Sequence, residues 1–330
     1  MQEITIHEQT AGGRLDKAVL KYLDKAPSSF VYKMLRKKNI VLNDKKAAGN
    51  EILKDGDRIC LYLADETIAK FRHEEKNGLL PGGHDDASHD LRSMILFEDE
   101  QIIALNKPAG MLSQRAESKD PSLNDLLTGY LDRTDLFTPG ISNRLDRNTS
   151  GIILAGKNPA AVRELNRAIL SRDVKKLYDC ITAGNMPGDS SVEGFLIKDH
   201  DHNKVRILRS KTEGAYYIRT DYHVVSRSDH CSMLKVDLIT GRSHQIRAHL
   251  ASEGYPIIGD RKYGDSHINR YYEKKYGLKD QLLHAGTVSF HGMGQILSYL
   301  NGVTINAPLP EVFKKIMKGE QLCLPGDPED

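Results

Sequence analysis

Three segments carry side chains whose types and spacing could do chemistry. The first runs from Ile141 to Gly151 and sets Asp146 between Arg144 and Arg147, ahead of Asn148-Thr149-Ser150-Gly151. Opposite charges on both sides keep a carboxylate ionised. The plainer reading of an isolated Arg-Leu-Asp-Arg is a turn with an ion pair. The second, Val174 to Gly184, alternates in the manner of a strand and carries Lys176 and Tyr178. A tyrosine there could stack on a base, although many such residues only fill cores or cross-strand pairs. The third, Leu238 to Leu250, contains Gly241-Arg242-Ser243-His244-Gln245-Ile246-Arg247-Ala248-His249 and continues to Gly259-Asp260. A zinc reading of His244 and His249 fits poorly, because they are not an i, i+4 pair and no acid lies between them. Both are expected to be structural.

Other chemistries find no support. Neither G-x-G-x-x-G nor G-x-x-x-x-G-K-[ST] occurs in the sequence, which removes the usual nucleotide-cofactor loops. Cys60, Cys180, Cys231 and Cys323 are far apart and form no C-x-x-C pair. Reduced thiols in a cytosolic protein are expected rather than a disulfide framework or a zinc knuckle. No apolar run approaches the ~18 residues of a membrane helix. The residues after Met1 lack the basic and apolar stretches of a signal peptide. A soluble, cytoplasmic protein is expected.

These segments need elements to hold them. Residues 93–330 alternate short β-like runs, such as Ile102–Leu105 and Gly151–Ala155, with helical patterns. Pro159 to Leu170 is a predicted helix, with Val162, Leu165, Ala168 and Ile169 on one face. A further helix is predicted to begin near Ser243. Upstream, Arg14 to Leu23 and Phe30 to Lys38 have helical spacing, with Pro27-Ser28-Ser29 as the predicted cap of the second. Ile40–Leu42 reads as a strand and Asn43-Asp44 as a turn. The segment from Glu74 to Asp90 is rich in Gly and acid and reads as a linker. The expected domains are therefore 1–73, a linker 74–92, and a catalytic body 93–330.

Charge follows this division. The chain of 330 residues has 47 Lys and Arg against 45 Asp and Glu, a net +2 that argues against a nucleic-acid binder. The average hides the distribution. Residues 12–63 hold twelve basic and six acidic side chains, net +6, whereas residues 64–92 carry −3. Residues 1–11 carry −2, which leaves +1 for 93–330. Lys33, Arg36, Lys37 and Lys38 cluster at the end of the second predicted helix, close to Lys45 and Lys46. Such a patch can neutralise phosphates, or be a solvated helix end favoured by the helix dipole.

The run Ser28 to Asn43 resembles an S4-type RNA-binding module. The body resembles the RluA-type family of RNA pseudouridine synthases. The family motif H-R-L-D-x-x-T-S-G corresponds to Asn143-Arg144-Leu145-Asp146-Arg147-Asn148-Thr149-Ser150-Gly151, with Asn143 in place of the commoner His. K-x-Y falls on Lys176-Leu177-Tyr178, and G-R-T-H-Q-I-R-x-H on Gly241 to His249 with Ser243 for Thr. K-P-x-G falls on Lys107-Pro108-Ala109-Gly110, and A-P-L-P on Ala307-Pro308-Leu309-Pro310. Each motif alone is weak; five in order over nearly all of 93–330 are a strong signal.

The resemblance implies an α+β protein: a mixed, mainly antiparallel central sheet flanked by helices, plus the small α+β S4-like domain. It implies isomerisation of uridine to pseudouridine in structured RNA, ribosomal RNA first among the targets, with no cofactor and no metal; a monomer is the default expectation. Asp146 would be the essential carboxylate, as nucleophile at C1′ or as base on the sugar. Arg247 would be its ion-pair partner, with Arg242 the fallback. Tyr178 would stack on the uracil and Leu283 wall the pocket. Arg144 would fill the stack left by the flipped nucleotide, where a guanidinium plane can substitute for a base. Lys107, Arg147, Lys176 and Arg242 would meet phosphates. Two other classes stay open on the sequence: a non-catalytic ribosome-associated RNA binder, and a metallohydrolase built on His244 and His249. A transfer-RNA target is the alternative substrate.

Overall fold

The computed structural model describes residues 1–72, 91–115, 120–131, 136–199 and 204–323. The N-terminal module contains β1 (Gln2–Thr5), α1 (Leu15–Tyr22), α2 (Ser28–Arg36), β2 (Ile40–Leu42), β3 (Lys45–Lys46), β4 (Arg58–Leu61) and α3 (Asp65–Phe71). Its strands form an antiparallel sheet in the order β1-β4-β2-β3. Leu15 and Val19 of α1 and Val31 and Leu35 of α2 pack on Ile40, Ile59 and Leu61 of the sheet. Asp16 ties the two helices together, accepting from Arg14 at 2.9 and 3.0 Å and from the Tyr32 hydroxyl at 2.6 Å. Asn43 and Asp44 both have positive φ, at 50° and 61°, as a tight turn between β2 and β3 requires. The predicted serine cap of α2 is displaced by one position: Pro27 occupies the cap and makes no side-chain bond, and Ser28 opens the helix.

The body adds β5 (Ile95–Glu98), β6 (Ile102–Lys107), α4 (Leu123–Tyr130), β7 (Gly140–Ile141), β8 (Ser150–Gly156), α5 (Pro159–Ser171) and β9 (Val174–Ala183). It continues with β10 (Ser190–Asp199), β11 (Lys204–Leu208), β12 (Tyr216–Arg227), β13 (Cys231–Asp237), α6 (Gln245–Ser252) and α7 (Ser266–Tyr276). It ends with β14 (Leu283–Phe290), β15 (Thr304–Asn306) and α8 (Glu311–Gly319). The sheet runs β11-β10-β12-β13-β9-β14-β8-β6-β5, with β15 on β14 and β7 on β8. The described pairings are antiparallel except β14 with β8. This is the mixed, mainly antiparallel α+β sheet expected above.

Period-two alternation explains why Ile102–Leu105 of β6 and Ile152–Ala155 of β8 are apolar without interruption. Ile103, Leu105, Ile153 and Ala155 face one core, shared with α7 and α8. Ile102, Ala104, Ile152 and Leu154 face a second core, covered by Ala161, Leu165 and Ala168 of α5. A strand buried on both faces cannot alternate with polar residues. Asn158 caps α5 by accepting from Ala161 N–H, and Pro159 takes the first turn.

The predicted linker mostly lies outside the described residues, which resume at 91. Leu91 and Met94, in a 3-10 turn, are buried in the body core. The body therefore begins by residue 91, and the linker assignment of 91–92 is corrected, because Leu91 has an apolar contact set to bury. Module and body touch at Gly12, whose carbonyl accepts from Arg163 of α5 at 2.8 Å. A Cβ on Gly12 would come within 2.5 Å of the Ala160 Cβ. Among the described residues no helix is long and apolar enough to cross a membrane.

Candidate active site

Sheet order builds the site. β14 lies between β9 and β8, so Tyr178 of β9, Leu283 of β14 and the loop leading into β8 converge. A cavity of about 760 Å³ opens there, lined among others by Arg144, Asp146, Lys176, Tyr178, Arg242 and Leu283.

The Asp146 loop is anchored on both sides. Asn143 is buried; its amide accepts from Leu154 N–H at 2.8 Å and donates to the Ile152 carbonyl at 3.2 Å, locking the loop start to β8. The side chain that departs from the family pattern is thus a backbone tie to β8. Ser113 accepts from Leu145 N–H and donates to the Leu145 carbonyl, at 3.0 and 2.7 Å. Beyond the aspartate, Gln281 donates to the Thr149 hydroxyl at 2.7 Å. Gly151, the second residue of β8, has φ 115°, and an added Cβ there would sit 2.3 Å from the Ala285 carbonyl oxygen. Only glycine permits the close parallel pairing of β8 with β14 at that point.

Asp146 accepts from Arg247 Nη1 at 2.7 Å through Oδ2 and keeps about a quarter of its side chain exposed to the cavity. Arg247 projects from α6 and is itself buried. Its other edge makes a two-pronged pair with Asp260, at 2.7 and 2.9 Å. Asp260 is completely buried and also accepts from the backbone N–H groups of Lys262 and Tyr263. Burial works against the Arg247 charge, but the Asp260 pair, with Asp146, outweighs it and holds the guanidinium pKa above its ordinary value. Burial likewise opposes the Asp260 charge, and the Arg247 bonds win, holding its carboxyl below the usual range. Arg247 is thus a permanent cation fixed in direction. The fallback partner Arg242 is exposed instead, its guanidinium 4.3 Å over the Tyr216 ring at the cavity edge.

Tyr178 is buried at the cavity wall, and burial, then the Asp146 charge, push its phenol pKa up. It stays protonated. Leu283 is buried beside it, paired across strands with Cys180. Arg144 is exposed and reaches the cavity. Lys176 is half-buried on the lining, and burial, then Arg172, lower its pKa. Arg147 is exposed and already donates to the Gly110 carbonyl and to Asp120, each at 2.9 Å.

Lys107 corrects the expectation of a phosphate contact. It is fully buried, and its ammonium donates to the carbonyls of Pro108, Met111 and Arg147 at 2.9, 2.9 and 3.0 Å. Burial draws its pKa down to about 7, with Asp146 and Asp280 pulling the other way. Three carbonyls use the three donors that only the ammonium form offers. Its work is to hold the Arg147 backbone, next to Asp146. Lys33, Arg36, Lys37 and Lys38 are not on the cavity; they are exposed on α2 and just after it, as are Lys45 and Lys46 on β3.

His244 also departs from expectation. It is a cavity residue, half-buried in the left-handed region with φ 57°, and caps α6 without a side-chain bond. His249, by contrast, is buried against the Thr220 hydroxyl at 2.9 Å, as a structural histidine. Asp260, Tyr263, Tyr216, Lys198 and Lys204 were not assigned from sequence, although Gly259-Asp260 ends the third chemical segment. What marks them is position in space, not spacing.

The comparisons agree with this geometry. The family described as RNA pseudouridylate synthase matches residues 101–252. The chain is similar to ribosomal large subunit pseudouridine synthase C of Pasteurella multocida (strain Pm70), 30% identical over 317 residues that span 95% of this chain and 92% of the relative. The protein of that name from Escherichia coli (strain K12) is 28% identical, over 96% and 95% of the two chains. In fold it is similar to human RNA Pseudouridylate Synthase Domain Containing 4, with a TM-score of 0.57 at 23% identity, covering 70% of this chain and 94% of that one. An anchored carboxylate beside a fixed guanidinium, in a cavity of about 760 Å³, on this fold and with these relatives, has one meaning: the chain belongs to the RluA-type family of RNA pseudouridine synthases.

Proposed function

We propose that this enzyme isomerises a uridine of large-subunit (23S) ribosomal RNA to pseudouridine, with Asp146 as the reacting carboxylate. The observation that carries the reading is the chain Asp146–Arg247–Asp260, which leaves one Asp146 oxygen facing a cavity walled by Tyr178 and Leu283. The ribosomal target rests on the relatives named above.

The reaction breaks the C1′–N1 bond, forms C1′–C5, and moves the C5 proton off as N1 gains one, so no group is imported. Arg247 keeps Asp146 aimed, whether the carboxylate attacks C1′ or removes a sugar proton. Tyr178 and Leu283 hold the detached uracil and exclude water, which would otherwise leave an abasic site. Arg144, exposed at the rim, fills the vacated stack, and Lys176, Arg147 and Arg242 meet the backbone. Flipping costs a few kcal/mol, which these contacts offset. The module of residues 1–72 serves as an S4-like RNA-binding unit through the exposed Lys33, Arg36, Lys37 and Lys38. A monomer is the expected state, and a ribosomal substrate supports a cytoplasmic location.

The test is Asp146→Asn. Pseudouridine in the ribosomal RNA should vanish while RNA affinity survives. Normal turnover by that variant, free of wild-type protein, would reject the assignment.

A further inference from the structure

His244 faces the second oxygen of the Asp146 carboxylate. Its Nε2 is 3.9 Å from Asp146 Oδ1, too far for a hydrogen bond, while Arg247 holds Oδ2. The other ring nitrogen, Nδ1, is 2.9 Å from the Tyr263 hydroxyl. That phenol oxygen already accepts from Val205 N–H at 2.9 Å. The tautomer in which the Tyr263 hydroxyl donates to Nδ1 uses both that acceptor site and the phenol proton, and it places the imidazole proton on Nε2. Burial keeps the ring neutral by lowering its pKa. The result is one fixed donor, Nε2–H, facing one fixed acceptor, Asp146 Oδ1, across a gap a single oxygen can bridge with normal bonds of about 2.8 Å.

Such an oxygen must accept from His244 and donate to Asp146. Within an RNA chain the uracil oxygens and O4′ only accept, N3–H only donates, and the 3′ and 5′ oxygens are esterified. The 2′-hydroxyl alone does both. It is bonded to C2′ and adjacent to C1′, the two atoms at which Asp146 would act. The left-handed backbone of His244 agrees with a functional placement, since φ 57° in a non-glycine residue is a strained position held by its surroundings.

The geometry points to His244 as the residue that binds the ribose 2′-hydroxyl of the target nucleotide, bridging it to Asp146 and making the site selective for RNA over DNA. This rests on the pseudouridine synthase reading, with Asp146 at the reacting centre.

The test compares two synthetic RNA fragments carrying the mapped target uridine, one all-ribo and one with a single 2′-deoxyuridine there. Single-turnover rates and Kd are measured for wild type, His244→Ala and His244→Gln. On the ribo fragment His244→Ala should lose about tenfold in rate or affinity, the worth of one hydrogen bond at a reacting centre. On the deoxy fragment the same substitution should cost less than about twofold, because the partner is already gone. His244→Gln, whose amide N–H can replace Nε2–H, should recover to within about threefold of wild type on the ribo fragment. If the deoxy fragment is not turned over, Kd carries the comparison. Equal losses on both fragments, or no loss on either, with an active wild type, overturn this inference alone. A wild type that forms no pseudouridine in ribosomal RNA overturns the functional reading and this inference with it.

Discussion

Arg247 sits between two carboxylates of unequal exposure: Asp146 opens to the cavity, whereas Asp260 is sealed from solvent. Asp260 therefore positions the guanidinium and Asp146 uses it. Replacing Asp260 with Asn leaves a buried cation short of its main partner, and removing one member of a buried pair costs about 3–5 kcal/mol. Chemical denaturation of Asp260→Asn should show a loss of that order, with pseudouridine formation reduced as Arg247 loses direction. The pH dependence has a definite sign. The folded-state pKa of Asp260 lies below its unfolded value, so its contribution is present above the unfolded pKa and is lost as pH falls through the folded one. Thermal melts should show a shallower acid-side decline for Asp260→Asn than for wild type. Arg247→Lys keeps charge but cannot span both carboxylates in a fork; kcat should fall more than RNA affinity.

At the scale of elements, the loop of residues 142–149 is held less by its own sequence than by what surrounds it. Lys107 at the end of β6 supplies three hydrogen bonds, one of them to the Arg147 carbonyl. Lys107→Met fills the volume but leaves three carbonyls unpaired, at about 1–3 kcal/mol for each buried group. A lower melting temperature together with loss of activity is expected; a stable Lys107→Met variant that is impaired only in RNA affinity would instead support the phosphate contact read from sequence. Gly151 is the other control point. With φ 115° and the Ala285 carbonyl 2.3 Å from an added Cβ, Gly151→Ala must push β8 from β14, costing about 2–4 kcal/mol. The separation would displace Asp146 from Leu283, so activity assays on folded variant should also show a deficit.

For the whole molecule, the net charge of +2 conceals a module whose residues 12–63 carry +6. Its exposed lysines and Arg36 lie on α2 and β3, and the module meets the body at α5 through Gly12 and Arg163. Deleting residues 1–72 should weaken RNA binding and reduce the log–log salt slope by about 0.7–0.9 for each phosphate that the module neutralises. Turnover at saturating RNA should persist, because every cavity residue lies in the body. Filter binding across a salt series measures both affinity and slope; if neither changes, the module has no part in RNA recognition.

Much of this molecule was legible in its sequence, because the relevant information there is local. Short apolar runs marked β6 and β8, helical spacing from Pro159 marked α5, and the ordered motifs carried Asp146, Tyr178 and Arg247. Local spacing could not say who meets whom. Asp146 and Arg247 are 101 positions apart, and they touch because the sheet places β14 between β8 and β9 and sets α6 over the cavity. Burial is decided the same way. Lys107 looked like an RNA-facing cation, yet it is fully buried at the end of β6 and turns its ammonium onto three carbonyls. His244 looked like a structural histidine, yet a left-handed cap turns it toward Asp146. Side-chain type and period belong to the chain; exposure, partner and charge state follow from long-range packing, which only the tertiary structure decides.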